Sequence, residues 1–225
     1  MIYGIIVSAG KETRFKGDKP KTLSLYKGRS FLERNYDTLA SLCNRTVVVA
    51  SHENKDWFND YDTIVIESGY GCGDAVMKAL ASLNVTKEDE CFIVWGDCLC
   101  QCANLLYMYG QNSERILIPC VWEESPYVSL VAKEDGSIKV LFGKYGEVSE
   151  PGFHDLGVFY GNANLILTKL NELAKKIEKN GQYIHKHGNE MQFLDIFNDT
   201  DVKGSIMPVN CKAISFNTIE ELNSL

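Results

Sequence analysis

The chain has 225 residues and is 45% hydrophobic, enough to fill one full-sized core. Its 23 basic and 30 acidic side chains leave a net charge of −7, which argues against a general nucleic-acid binder with a basic face. No apolar run is long enough to cross a bilayer, and no basic leader with a cleavage pattern opens the chain, so a cytoplasmic protein with no membrane or nucleic-acid partner is expected.

Ile2–Ser8 is a short apolar run that reads as a buried strand. It feeds into Ser8-Ala9-Gly10-Lys11-Glu12-Thr13-Arg14, a loop whose Gly10 leaves backbone N–H groups free to approach phosphate oxygens. Arg14 offers a planar donor fork, and Pro20 stiffens the chain before Lys21, a mobile point charge. Ser30 and Glu33 form a capping-box pattern that opens a helix running to about Leu42. Strands follow at Thr46–Ala50 and Thr63–Glu67. Gly69, Gly71 and Gly73 then lead into a helix ending near Leu83, a loop suited to pressing its backbone on a flat ligand. Cys91–Trp95 is another buried strand, ending in Gly96-Asp97, where a carboxylate would stand at the rim of the sheet. Ile116–Val121 completes the first half.

In the second half, Val128–Ala132 and Ile138–Phe142 flank a turn-rich stretch and read as a hairpin. Asp155–Tyr160 reads as a strand, Ala163–Lys179 as a helix stopped by Asn180-Gly181, and Glu190–Asn198 as a shorter helix. Asn217 or Thr218 would cap a last helix. Strands alternating with helices predict an α/β fold: a Rossmann-like, mainly parallel mixed sheet with helices on both faces. With no repeat or linker, one domain is expected, residues 1–122 holding a nucleotide and 123–225 its acceptor.

Ser-Ala-Gly-Lys-x-Thr-Arg, five residues, then Pro-Lys-x-Leu resembles the signature of the sugar-phosphate nucleotidyltransferases, a MobA-like, GT-A-like family. The spacing is similar to that of the N-acetylglucosamine-1-phosphate uridylyltransferase domain, although Glu12 stands where that family usually has a second Gly. The resemblance implies transfer of a nucleoside monophosphate from CTP or UTP to a phosphorylated metabolite, with release of pyrophosphate. A sugar 1-phosphate for surface polysaccharide is the first choice of acceptor; phosphocholine or phosphoglutamine for capsule or surface decoration is the alternative. Arg14, Lys21 and Asp97 are implied as catalytic. Ser8, Ala9, Gly10, Lys11, Thr13, Gly69, Gly71, Cys72 and Gly96 are implied to join Arg14 and Lys21 in binding nucleotide. Asp155, Gly157 and Glu190 would meet the acceptor, and Asp97 and Asn217 would hold magnesium. Ile66 stands where the family's base-reading Gln is expected.

A glycosyltransferase of the same fold would carry Asp-x-Asp where this chain has Asp97-Cys98-Leu99. A non-catalytic nucleotide sensor would be free to lose Asp97 or Lys21, and both are present. The eight cysteines include no Cys-x-x-Cys pair, and the alternating Cys98, Cys100 and Cys102 fit no common zinc spacing, so reduced thiols are expected. His185 and His187 are able to ligate a metal, but a polar surface loop accounts for them.

Overall fold

The structure, a computed structural model, describes residues 1–10, 15, 17–67, 69–99, 105, 108–109, 114–211 and 214–225. Its first half contains β1 (Ile2–Val7), a small hairpin of β2 (Leu25–Tyr26) and β3 (Arg29–Ser30), α1 (Phe31–Ala40), β4 (Arg45–Ser51), β5 (Thr63–Ile66), α2 (Cys72–Ser82) and β6 (Glu90–Trp95). Then come β7 (Ile116–Glu123), β8 (Val128–Ala132), β9 (Ile138–Phe142), β10 (Gly152–Asp155), β11 (Val158–Asn162) and α3 (Ala163–Ile177). The chain closes with β12 (Glu178–Lys179), β13 (Gln182–Tyr183), α4 (Ile196–Asp199), β14 (Gly204–Pro208) and α5 (Ile219–Asn223).

Four strands pair in parallel in the order β5-β4-β1-β6. Their side chains alternate between two buried faces. Ile5, Val47, Val49 and Ile93 pack with α2 and α3, while Ile6, Val48, Ala50 and Val94 pack with Leu32 and Leu39 of α1. Each such Val, Ile or Leu side chain contributes about 1.5–3 kcal/mol by leaving water. A strand covered on both faces reads as a continuous apolar run, so these strands stand out in the sequence. α1 begins with the expected capping box: Glu33 N–H donates to Ser30 Oγ, and Ser30 N–H donates to the Glu33 carboxylate.

Among the described residues the sheet is mixed and ten-stranded. β11 joins β6 antiparallel, the order continues through β7, β10, β8 and β9, and β14 lies parallel to β7. From β1 the chain crosses to β4 on one side and later returns as β6 on the other. The carboxyl ends of β1 and β6, in register at Val7 and Trp95, therefore form the switch point at which open α/β sheets bind ligands. No helix among the described residues is long and apolar enough to cross a membrane.

Three expected elements differ in detail. The strand expected over Asp155–Tyr160 is broken at Leu156-Gly157, where Gly157 has φ +69°. Asp155 pairs with Cys120 and Tyr160 with Leu117, so five steps on one side answer three on β7, a bulge beside the cleft. The helix expected from Glu190 starts only with a tight turn at Phe193–Asp195. Met191 has already committed its backbone: its N–H donates to Tyr70 O, and its carbonyl accepts from Gly73 N–H. Finally, α3 stops at Ile177, because Glu178 and Lys179 pair with β13 across Asn180 (φ 54°) and Gly181 (φ 76°).

Candidate active site

The floor of the site is built by the ends of β1 and β6. Gly96 N–H donates to Val7 O at 3.0 Å, and Ser8 N–H donates to Val49 O at 2.8 Å. A Cβ on Gly96 would stand 2.4 Å from Thr22 Cγ2 and 2.7 Å from Ser8 Oγ, so only glycine lets these segments meet. Asp97 follows directly. Buried Asn35 of α1 steadies the turn beyond it by donating to Cys98 O at 2.7 Å. Pro20 leads into a single tight turn, Lys21–Leu23, which aims Lys21 inward. The Lys21 ammonium is ion-paired with Asp97 Oδ2, each side chain about one-fifth exposed (19% and 20%).

Two cavities meet at Asp97. The first, about 340 Å³, is lined by Ser8, Ala9, Gly10, Lys21, Ile66, Gly69, Tyr70, Gly71, Glu190 and Gln192, among others. The second, about 220 Å³, lies on the β10 side and is lined by Cys98, Val128, Phe142, Tyr145, His154, Asp155, Gly157, Phe216 and Asn217, among others. Cys72, Trp95, Asp97, Tyr127, Lys144 and Gln192 line both, so the two form one cleft with Asp97 at its waist.

The wall of the first cavity is a pinned glycine loop. Gly69 and Gly71 adopt φ +88° and +95°, a region that side chains rarely enter. A Cβ on Gly71 would lie 2.4 Å from Met191 O, so the loop packs directly on the Glu190–Gln192 segment. Phe193 N–H donates to Cys72 Sγ at 3.3 Å, and burial pushes the Cys72 thiol up to about 11. At the far end of the signature loop, Phe15 packs edge-to-face on Phe216, with ring centres 5.6 Å apart. Phe216 also meets Phe31 at 4.8 Å, which sets Asn217 at the rim of the second cavity.

The second cavity has aromatic walls and a buried acid. Asp155 is 6% exposed, and its carboxylate accepts from Gly157 N–H at 2.9 Å. Burial raises its pKa above the usual carboxylate range, against the opposing pull of His154. The Cys98 thiol is also pushed up strongly by burial.

Ser8, Ala9, Gly10, Lys21, Gly69, Gly71, Cys72 and Asp97 thus come together at the first cavity, with Gly96 beneath them. Asp155, Gly157, Asn217 and Asp97 share the second. Glu190, expected with the acceptor group, lines the first cavity instead. Lys11, Thr13 and Arg14 lie outside the described residues, as do Glu12, Cys100 and Cys102. Thr218 takes the capping role at α5, accepting from Glu221 N–H. Trp95, Tyr127, Lys144 and Gln192 were missed from sequence. Trp95 alone carried a signal, as the last residue of a buried strand beside Gly-Asp. His185 and His187 are not surface-loop residues: their side chains are 6% and 3% exposed.

The MobA-like NTP transferase domain family matches residues 4–140. The chain is 24% identical over 227 residues to the bifunctional protein GlmU of Buchnera aphidicola subsp. Schizaphis graminum, covering 93% of this chain and 47% of that one. It is 36% identical over 94 residues to GlmU of Bifidobacterium adolescentis, covering 38% of this chain and 20% of that one. The chain therefore spans less than half the length of these curated relatives. Among solved structures, CTP:phosphocholine cytidylyltransferase (LicC) from Streptococcus pneumoniae superposes with TM-score 0.72 at 13% identity, over 99% of this chain and 96% of that one. HddC from Yersinia pseudotuberculosis superposes with TM-score 0.71 at 18% identity, over 100% and 97%. At such identities the likeness is one of fold.

Proposed function

The chain belongs to the MobA-like NTP transferase domain family, and on that footing we propose that it transfers a nucleoside monophosphate from CTP or UTP to the phosphate of a small metabolite, releasing pyrophosphate. The observation that carries this reading is the shared waist: one carboxylate, Asp97, borders both cavities, and Lys21 is held on it. A triphosphate on one side and an acceptor phosphate on the other would meet there. The whole acts as one nucleotidyltransferase domain. Its two halves interleave, because Tyr127 and Lys144 reach the first cavity while Cys72 and Trp95 reach the second.

The base lies against the Gly69–Gly73 loop, and the phosphates run over Ser8, Ala9 and Gly10 toward Lys21. The motif gives Lys11, Thr13 and Arg14 to the triphosphate, with Arg14 on the departing pyrophosphate. Lys21 offsets charge that develops between acceptor and α-phosphate. Positioning and charge neutralisation do most of the work in such transfers. The donor set suits magnesium: Asp97 and Asn217 offer hard oxygen ligands at one cavity, and Asp97 already draws a cation, the Lys21 ammonium. When bound, the metal would neutralise phosphate charge.

A sugar 1-phosphate is the acceptor that the family resemblance puts first. The second cavity favours the other reading, a non-sugar phosphate such as phosphocholine or phosphoglutamine. Tyr127, Phe142, Tyr145 and Phe216 supply apolar faces, and a buried acid, Asp155, suits a cationic or amide-bearing end better than a ring of hydroxyls. The setting we propose is the cytoplasm, in surface-polymer precursor synthesis. A pyrophosphate-release screen tests all of this, crossing four triphosphates with sugar 1-phosphates, phosphocholine and phosphoglutamine in magnesium. Release with CTP or UTP and one phosphorylated acceptor is expected; no release with any pair would overturn the transfer reading.

A further inference from the structure

We propose that His185, His187 and Asp195 form a zinc site of three protein ligands with a fourth position for water, separate from the cleft, that braces the wall carrying Glu190 and Gln192. The side chains of His185, His187 and Asp195 are 6%, 3% and 0% exposed. His185 Nδ1, His187 Nδ1 and both Asp195 carboxylate oxygens are buried and make no hydrogen bond. Leaving four such atoms unsatisfied at one point is costly, and native interiors avoid it. Candidate ligand atoms from the three residues lie within 4.8 Å of one another.

The outer nitrogens decide the tautomer. His185 Nε2 is 3.0 Å from Asp199 Oδ2, and His187 Nε2 is 2.9 Å from Glu147 Oε1. A carboxylate accepts, so each Nε2 carries the proton, and a neutral ring then turns a Nδ1 lone pair inward. Two lone pairs facing the Asp195 carboxylate repel unless a cation lies between them. The competing arrangement, two imidazolium rings, would place N–H groups on Asp195, yet neither 3.4 Å Nδ1–carboxylate separation forms a hydrogen bond. Each Nδ1 faces a different oxygen of Asp195 at 3.4 Å, close to the roughly 3.3–3.4 Å that separates two groups about 2.0–2.1 Å from a tetrahedral zinc. Imidazole nitrogens with one carboxylate suit zinc, whereas magnesium and calcium take oxygen ligands. A histidine ligand whose far nitrogen donates to a carboxylate is also the usual outer support of a zinc site.

Local structure brings the ligands together. His185 and Gly188 bond to each other through both backbone groups, with Gly188 at φ +113°, so the chain folds tightly around His187. Asp195 comes from the tight turn before α4. The segment between these ligands carries Met191, bonded to the glycine loop, and Glu190 and Gln192 of the first cavity. The His187 ring also stacks on Tyr145 of the second cavity, 4.4 Å apart and 7° from parallel. A metal here would fix the walls of both cavities without touching the reacting groups.

The test uses the full chain stripped with a chelator, dialysed, and titrated with cobalt(II) and then zinc, with no nucleotide present. The expected result is a visible absorption band of tetrahedral cobalt, saturating at one equivalent per chain and lost on adding zinc. Zinc at about a hundredfold excess over its Kd should raise the melting midpoint by roughly 5 °C or more, and magnesium should not. His187→Gln and Asp195→Asn should each weaken binding at least about tenfold, while Asp97→Asn leaves it unchanged. A wild-type chain that gives neither the band nor the zinc-induced rise overturns the site, as does a His187→Gln chain that titrates like wild type. Because no triphosphate enters, the outcome is independent of the transfer reading.

Discussion

Lys21 and Asp97, 76 residues apart in sequence, are ion-paired at the waist where the two cavities join. A lysine delivered by a proline-led turn meets a carboxylate delivered by the end of a buried strand. In this pairing the ammonium holds the place of a cation, and triphosphate with magnesium would compete for both partners. The pair keeps two opposite charges ordered in the cleft before substrate arrives, so less reorganisation is left to the reaction itself.

Asp97→Asn should lower turnover by on the order of 100-fold or more, as removal of a dominant electrostatic group does. The fold should survive, because Asp97 stands past the end of β6 and outside the core clusters. Magnesium-dependent pyrophosphate release, read beside circular dichroism, checks this. A rate within a few-fold of wild type would remove Asp97 from the metal and the chemistry.

Lys21→Ala should act mainly on kcat, with little rise in the triphosphate KM, if Lys21, ion-paired with Asp97 at the waist, offsets charge that develops in the transfer step as proposed. Its effect on stability should be on the order of 1 kcal/mol or less, since both partners are partly exposed. Steady-state kinetics with both substrates varied separates the two cases. A raised triphosphate KM at unchanged kcat would make Lys21 a ground-state binder.

Asp155→Asn separates binding from folding. Burial holds the folded carboxyl above its ordinary pKa, so the folded state binds the proton more tightly than the unfolded chain. Such a group costs stability as pH rises from the ordinary carboxylate range through the raised value, and the cost is complete above it. The asparagine variant, which still accepts from Gly157 N–H, should therefore be as stable as wild type or more so at pH 7. That margin should shrink as pH falls and the wild-type acid takes up its proton. Acceptor KM should rise while triphosphate KM holds. Denaturant midpoints at several pH values provide the check; a margin that widens on acidification contradicts the assignment.

Much of this arrangement was legible in the chain because it is local. The parallel strands are apolar runs, the Ser30–Glu33 cap is a four-residue pattern, and the signature loop, Gly96-Asp97 and the glycine loop each follow a strand. What stayed hidden depends on distant partners. Lys144 and Tyr127 reach the cleft only because β8 and β9 fold back beside β10, and no spacing announces that. His185 and His187 look polar and loop-like, yet Glu147, 40 residues away, and Asp199, 14 residues away, bury them. The late start of the helix expected at Glu190 has the same origin, since Met191 bonds to a loop more than a hundred residues earlier.

The base should be a pyrimidine, with CTP favoured over UTP. Tyr70 stands at the mouth of the first cavity, edge-on to Tyr183 with ring centres 6.1 Å apart, and the Lys78 ammonium lies 4.8 Å from the Tyr70 ring centre. Held from two sides, that ring would narrow the slot above Gly69 and Gly71 and exclude a purine by size. Backbone N–H and C=O groups of the glycine loop are left to read the pyrimidine edge. Ile66, buried and lining the cavity, has no side-chain group to donate or accept there, so it would not read uracil as the Gln expected from the family resemblance would. Thermal-shift measurements with magnesium and each triphosphate at equal concentration rank the affinities, since a ligand that binds the native state raises its melting midpoint. CTP should give the largest rise. Tyr70→Ala, which opens the slot, should narrow the gap between CTP and ATP. A larger shift with ATP or GTP than with CTP and UTP in the wild-type chain would show that the wall is not where Tyr70 puts it.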